Sequence, residues 1–318
     1  MTNYRINVLS LFDGIGCARL AIENTKNIKI NRYYFSEIEK NCVELNKKKF
    51  PNNIYLGDVS KINLDKLPKI DLLIGGSPCQ DLSNAYKGNG LDGMRSSLFY
   101  KFVEIKNKLR PKFFILENVK NNQVNLMNNH IGIEGEEINS IYFSAQNRPR
   151  VYWTNIKFDH NFNKEKKIFI KNVIDRNVSE NFFLKRNLEL KIQKLELFSD
   201  TKKNLNEKDE SFSIKKIITI PRSIIKDNER QRRVYSIHGK SPTLLARSDS
   251  PKILINGRIR KLTPTECERL QTIPAEFTKD YSNTVRYKMV GNAFTVEVIK
   301  YILSFYGNKK NEQLKLIN

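Results

Sequence analysis

The chain is short of cysteine. The four it has (Cys17, Cys42, Cys79 and Cys267) are scattered, with no C-x-x-C pair among them. That spacing argues against a disulfide framework or a zinc site, so no metal is expected and a cysteine with a special role should be a reactive thiolate. Long apolar runs are missing as well. None approaches a membrane span, and the opening "MTNYRINVLSLFDG" has no basic stretch leading into an apolar one. A soluble, cytoplasmic protein is expected. Acidic residues are outnumbered: 34 Asp and Glu against 56 Lys and Arg leave a formal charge of +22. Such an excess suits a polyanionic partner, although lysines spread over solvated faces would give the same count.

The 318 residues leave room for one large domain or two smaller ones, and 39% hydrophobic residues suffice for a folded core. The first half alternates regularly. "INVLSLF", "RYYFSEI", "NIYLGDV", "IDLLIGG" and "KFFILENV" read as strands, followed by two more in "INSIYFSA" and "RVYWTNI". "CARLAIENT", "EKNCVELNKKKF" and "SSLFYKFVEIKNKLR" read as the helices between them. This order predicts an α/β fold with a doubly wound, mostly parallel sheet whose strand-end loops line one crevice. From about Lys157 the periodicity weakens, and it returns at "GKSPTLLARSDSP" before a terminal helix carrying Val296, Ile299 and Leu303. The expected division is a catalytic domain over 1–157, a smaller domain over 158–260, and a return segment over 261–318 that completes the first.

In "SLFDGIGCARLA" a glycine-containing turn joins a strand to a helix, where backbone N–H groups can meet an anionic group. The third glycine of the dinucleotide fingerprint is lacking, its position being held by Arg19. An ordinary tight turn would read the same way. Glu37, ending the second strand, suits a pair of ribose hydroxyls, and Asp58 in "GDV" suits an exocyclic adenine amine. A nucleoside-containing cofactor fits all three.

"SPCQ" and "ENV" close the next two strands. A cysteine that attacks a neutral ring needs the charge appearing on that ring to be met as it forms. Glu117 could hydrogen-bond or protonate a ring nitrogen if burial raised its pKa, and Cys79 would need a lowered one. The alternatives are a packing cysteine and a glutamate that caps a helix. In "QNRPRVYW", Gln146, Arg148 and Arg150 alternate and in an extended segment would face one way. Two such guanidiniums suit an anion or a carbonyl-rich ligand, and a solvated edge strand is the alternative.

"FDGIG", "SPCQ", "ENV", "QNRPR", "RKLTPTECERLQTIP" and "GNAFTVEVI" occur in that order. The ordered set resembles the motifs of the cytosine-C5 DNA methyltransferases, the family that includes bacterial restriction–modification and phage enzymes. "FDGI", and the short segment between "ENV" and "QNRPR", resemble its vertebrate de novo branch. The resemblance implies an S-adenosylmethionine-dependent, Rossmann-like fold with a target-recognition domain. Phe12, Asp13, Gly14 and Gly16 would hold the cofactor's methionine end, Glu37 its ribose and Asp58 its adenine N6. Ile38 would pack on the adenine face, Pro78 would shape the pocket, and Asn292 would close it. Cys79 would add to C6 of a flipped-out cytosine, Glu117 would engage N3 and the 4-amino group, and Arg148 and Arg150 would secure O2.

The resemblance also supplies a reason for these residue types. A thiolate at C6 makes C5 nucleophilic enough to take a methyl group, and a stacked base cannot be reached, so the target must leave the duplex. "DLSNAYKGNGLDGMRSS" suits a flap over the flipped base, though a mobile surface loop would look alike. Recognition is expected from Arg230, Gln231, Arg232, Arg233 and Arg247, which could read base edges or contact phosphate. The implied partner is double-stranded DNA, with the protein associated with the nucleoid and acting as a monomer. The competing readings are an RNA (tRNA) cytosine-5 methyltransferase, a catalytically inactive DNA-binding homologue and a nicotinamide-dependent dehydrogenase.

Overall fold

Val8, Leu9, Ser10 and Leu11 are all fully buried, as a near-continuous apolar run requires when both faces of a parallel strand are covered. They belong to β1 (Tyr4–Leu11), which is central to a seven-stranded sheet. In the computed structural model, which describes residues 4–78, 96–162, 167–194 and 212–308, the chain forms two units. Residues 1–138, 149–161 and 296–318 make the first, and 139–148 with 162–295 the second.

In the first unit β1 is followed by α1 (Cys17–Glu23), β2 (Ile28–Ser36), α2 (Lys40–Lys49), the short β3 (Ile54–Tyr55) and β4 (Leu72–Gly76). Then come α3 (Ser96–Leu109), β5 (Phe113–Asn118), α4 (Val124–Ile131), β6 (Glu136–Asn139) and β7 (Pro149–Thr154). The strand order is β3-β2-β1-β4-β5-β7-β6. β1 pairs in parallel with β2 and β4, and β4 with β5, while β7 runs antiparallel to β5. The order therefore reverses between β1 and β4, and a crevice opens beyond their carboxyl ends. Leu11 lies opposite Gly75 there. A Cβ on Gly75 would stand 2.9 Å from the Leu11 carbonyl oxygen, so only glycine lets the two strand ends approach this closely.

Phe99, Phe102 and Ile105 of α3 and Met127 and Ile131 of α4 join Leu9, Leu11, Leu73, Leu116 and Trp153 in one core cluster. Each fully buried side chain of this size is worth about 1.5–3 kcal/mol. The segment ahead of "QNRPR" accommodates only the eight-residue α4. The expected strand over "INSIYFSA" stops at Asn139, because the Asn139 carboxamide accepts from the Ile141 N–H and turns the chain into a 3₁₀ turn over Ser140–Tyr142.

The second unit contains α5 (Arg186–Lys194), β8 (Lys216–Thr219), α6 (Glu229–Arg232), β9 (Arg233–Ser236), β10 (Lys252–Ile255) and β11 (Arg258–Lys261). Its sheet runs β11-β10-β9-β8. Asn256 and Gly257, both at positive φ, make the two-residue turn between β10 and β11. α7 (Pro264–Leu270) and α8 (Asn283–Asn292) follow, and α9 (Val296–Ser304) returns to the first unit, packing on α1.

The boundaries differ from the expected 157/158 and 260/261. Cys267 and Leu270 of α7 and Tyr287 and Val290 of α8 pack with Tyr235, Leu244 and Ile253, which places 261–295 in the second unit's core. Two buried ion pairs fix these helices. Arg260 grips Glu266 with two hydrogen bonds of 2.8 and 2.7 Å, and Arg286 lies 3.1 Å from Glu268. Glu266 also completes a capping box with Thr263 ahead of Pro264.

Candidate active site

The carboxyl ends of β1, β2, β3, β4 and β5 carry Phe12–Gly16, Glu37, Ile38, Asp58, Pro78 and Glu117, and Arg150 stands at the start of β7. Cys79, Gln80 and most of the expected flap fall outside the described residues.

At the end of β1 the backbone takes positive φ at Phe12 (55°), Gly14 (58°) and Gly16 (83°). A left-handed phenylalanine is rare and persists only where its surroundings fix it. Here the Asp13 N–H donates to the Ser36 carbonyl at 3.1 Å, and the Gly14 N–H donates to Glu37 Oε2 at 2.8 Å. Two expected cofactor residues, Gly14 and Glu37, are thus directly bonded. Glu37 Oε1 accepts from the N–H groups of Ile38 (2.7 Å) and Glu39 (2.8 Å), which orients the carboxylate at the start of α2.

Beside it the Ile38 side chain is 74% exposed. Ser36 Oγ donates to the Gly57 carbonyl at 2.7 Å and ties the "GDV" turn to the end of β2. Asp58 Oδ1 accepts from the Ser60 N–H and hydroxyl, and these bonds hold its carboxyl below the usual range. Its Oδ2 has no partner among the described residues.

Asp13 departs from expectation. Its side chain is buried and turned away from the crevice, where it accepts from Ser10 Oγ, Tyr33 Oη (2.7 Å) and Asn46 Nδ2. The left-handed Phe12 reverses the chain just before it and sends this side chain inward.

At the ends of β4 and β5, Pro78 is exposed and Ser77 is buried. Asn118 Nδ2 donates to Ser77 Oγ at 2.9 Å and to its carbonyl at 3.3 Å, binding "SPCQ" to "ENV". Glu117 pairs in register with Gly76, three residues before Cys79. Arg150 Nε stands 3.1 Å from Glu117 Oε1, the two side chains being 13% and 12% exposed. Sequence reasoning missed Ser36, Ser77 and Asn118. It also missed Tyr55, whose hydroxyl donates to the Glu37 carbonyl at 3.0 Å. The signal for Ser77 and Asn118 was their adjacency to the two catalytic motifs.

In the second unit Arg148 does not share a face with Arg150, because β7 begins only at Pro149 and strand alternation does not reach back to it. Its guanidinium is buried and donates to the carbonyls of Leu244 (3.2 Å), Gly291 (3.2 Å) and Ala293 (3.1 Å). Nearby, Gln271 Oε1 accepts from Gln146 Nε2 and from the Thr295 hydroxyl, and Thr295 meets Ser140 at 2.8 Å. Asn292 is exposed at the end of α8.

Among the recognition candidates Arg232 is half-buried. Its guanidinium is bonded to the carbonyls of Asp227 and Ile220, so it braces a turn. Arg233 is paired with Glu229 at 2.8 Å, and Gln231 has its Oε1 buried. Arg230 is exposed with one bond to the Thr243 carbonyl. Arg247 is exposed and its guanidinium has no partner among the described residues.

The model of the C-5 cytosine-specific DNA methylase family matches residues 6–131 and 138–307. The chain is 28% identical to the orphan methyltransferase M.SPRI of Bacillus phage SPR, over 97% of this chain and 100% of that one. It is 25% identical to the type II methyltransferase M.HhaI of Haemophilus parahaemolyticus, over 96% and 95% of the two. The solved structure of the Entamoeba histolytica methyltransferase EhMeth superposes with a TM-score of 0.69 at 16% identity, covering 95% of this chain and 98% of that one. That likeness speaks to the fold alone. The sequence match extends through both units, and on it the chain belongs to the C-5 cytosine-specific DNA methylases, S-adenosylmethionine-dependent enzymes that methylate carbon 5 of cytosine in DNA.

Proposed function

We propose that this methyltransferase attacks a flipped-out cytosine of duplex DNA through Cys79, with Glu117 and Arg150 as the groups that steady the ring. The observation that carries this reading is the Glu117–Arg150 pair, set in register with Gly76 at the entry to "SPCQ". The residues at the neighbouring strand ends suit S-adenosylmethionine. Glu37 is an oriented carboxylate with acceptor capacity left for ribose hydroxyls, Asp58 has an Oδ2 without a partner among the described residues that suits an amine, and Ile38 offers an exposed apolar face. When bound, the cofactor supplies an electrophilic methyl group on a sulfonium sulfur.

The chain's own groups do the rest. Cys79 as thiolate adds to C6 of the base and drives electron density onto C5. Glu117 hydrogen-bonds N3 and the 4-amino group, so that charge on the ring is met as it forms. Arg150, oriented by Glu117, is placed to hold O2. Arg148, committed to three carbonyls, is assigned to bracing its own segment. Once C5 is methylated, its proton passes to solvent water, the freed electron pair restores the C5–C6 double bond, and the C6–S bond breaks to release the Cys79 thiolate. Of the five recognition candidates, Arg247 and Arg230 are the exposed ones and are assigned to DNA contact, and the protein is proposed to act as a monomer.

The test is incubation with labelled S-adenosylmethionine and varied duplexes, followed by base analysis. 5-Methylcytosine is expected, whereas 4-methylcytosine or 6-methyladenine would overturn the thiolate route. A duplex carrying 5-fluorocytosine should become covalently attached at Cys79, as read by mass spectrometry of the tryptic peptide.

A further inference from the structure

The Phe12–Gly16 turn is the part of the proposed cofactor site with the most demanding backbone, and a single buried carboxylate lies at its centre. Asp13 collects hydrogen bonds from three different elements: Ser10 on β1, Tyr33 on β2 and Asn46 on α2. Its own backbone is also held, the N–H by the Ser36 carbonyl and the carbonyl by the Gly16 N–H at 3.2 Å. Among the described residues no cation is bonded to the carboxylate. Arg19 on α1 lies over the Tyr33 ring at 5.4 Å and pairs with Glu23 at 2.8 Å, and the other charged group facing Asp13 is Glu37.

Three convergent donors need a group that only accepts. An ionised carboxylate has about four acceptor sites and takes them all, whereas an asparagine would aim its own N–H₂ at one of them. The residue next in the chain is Gly14, whose amide reaches Glu37.

We propose that Asp13 is a positioning residue for the methyl donor. By drawing Ser10, Tyr33 and Asn46 onto one carboxylate, it fixes the turn that brings the Gly14 amide to Glu37, so that cofactor affinity depends on it and the methyl-transfer step does not. This rests on the reading of Glu37 and its neighbours as the S-adenosylmethionine site. It departs from a direct contact between the Asp13 side chain and the cofactor, which its burial precludes. Burial raises the Asp13 carboxyl to about 6, opposed by the Ser10, Tyr33 and Asn46 bonds and aided by the charge of Glu37. Protonation would put a hydrogen where one of the three donors points. Affinity for the cofactor should therefore fall as pH drops through about 6.

The experiment is calorimetric binding of S-adenosylhomocysteine to the wild type, D13N and Y33F between pH 5 and 8, with kcat at saturating methyl donor measured alongside. Y33F removes one donor with little change of shape and decides the matter if D13N does not fold. Losing one hydrogen bond to a charged group is expected to weaken binding about 10- to 100-fold while kcat stays within about twofold. D13N should also abolish the wild type's loss of affinity near pH 6, which separates Asp13 from Glu37. Unchanged affinity in both variants with only a lowered melting temperature would overturn the proposal. So would normal affinity with a reduced kcat. A wild type that binds no S-adenosylhomocysteine would instead bring down the cofactor reading beneath it.

Discussion

Arg150 Nε lies 3.1 Å from Glu117 Oε1, and the pair is largely shielded from solvent at the end of β5. A glutamate that protonates or hydrogen-bonds a ring nitrogen contributes most in the transition state. E117Q is therefore expected to lower kcat by about 10²–10⁴-fold with cofactor binding unchanged, as measured by single-turnover methylation and calorimetry. An equal loss in kcat and cofactor affinity would show that Glu117 acts through the fold.

The Arg260–Glu266 pair, 1% and 0% exposed, gives a stability prediction. E266A strands a buried guanidinium and should cost about 3–5 kcal/mol in urea unfolding. The double replacement R260M/E266L should recover most of that, since the buried charge itself is then gone. If the double variant is no better than the single, the capping box at Thr263 and the bond to the Asp175 N–H carry the cost instead.

Lys240 is fully buried and has no carboxylate partner among the described residues. Its ammonium donates to the carbonyls of Ile141 (2.8 Å) and Ser144 (2.9 Å), and burial lowers its pKa from 10.5 to about 8. Between those two values the unfolded chain binds the extra proton, so this group's contribution to stability rises with pH across the window and is constant below it. The difference in unfolding free energy between wild type and K240M should grow by about 3 kcal/mol from pH 7.5 to 10.5. A pH-independent difference would refute the assignment.

Arg247 and Arg232 separate two roles that sequence alone could not. R247A should weaken duplex binding and reduce the salt dependence of the binding constant by about one counterion. R232A should leave that slope unaltered and lower the melting temperature, because its bonds go to the Asp227 and Ile220 carbonyls. Fluorescence anisotropy at several salt concentrations distinguishes the two.

The first-unit sheet was legible because its strands are buried on both faces and read as apolar runs, and because Glu37 and Asp58 stand where such runs end. Orientation was not. Asp13 turns inward directly after the left-handed Phe12, a conformation that the residue type does not announce. Arg148 and Arg150 seemed to alternate, yet the strand starts between them at Pro149. The stretch 261–295 lies in the expected return segment, yet it fills the second unit's core. What decides membership is which core Leu270 and Val290 fill. The Asn256-Gly257 pair is a sequence signal for the hairpin between β10 and β11.

α9, packed on α1, joins residues nearly three hundred positions apart in the chain. While the polypeptide is emerging from the ribosome, α1 must wait uncovered through synthesis of the entire second unit. α1 carries the buried Ala18, Leu20, Ala21 and Ile22, and the part of it that α9 covers is a surface for chaperones until Val296–Ser304 arrives. A nascent chain stalled before Val296 should therefore be captured by a holdase, and one released after Ser304 should not.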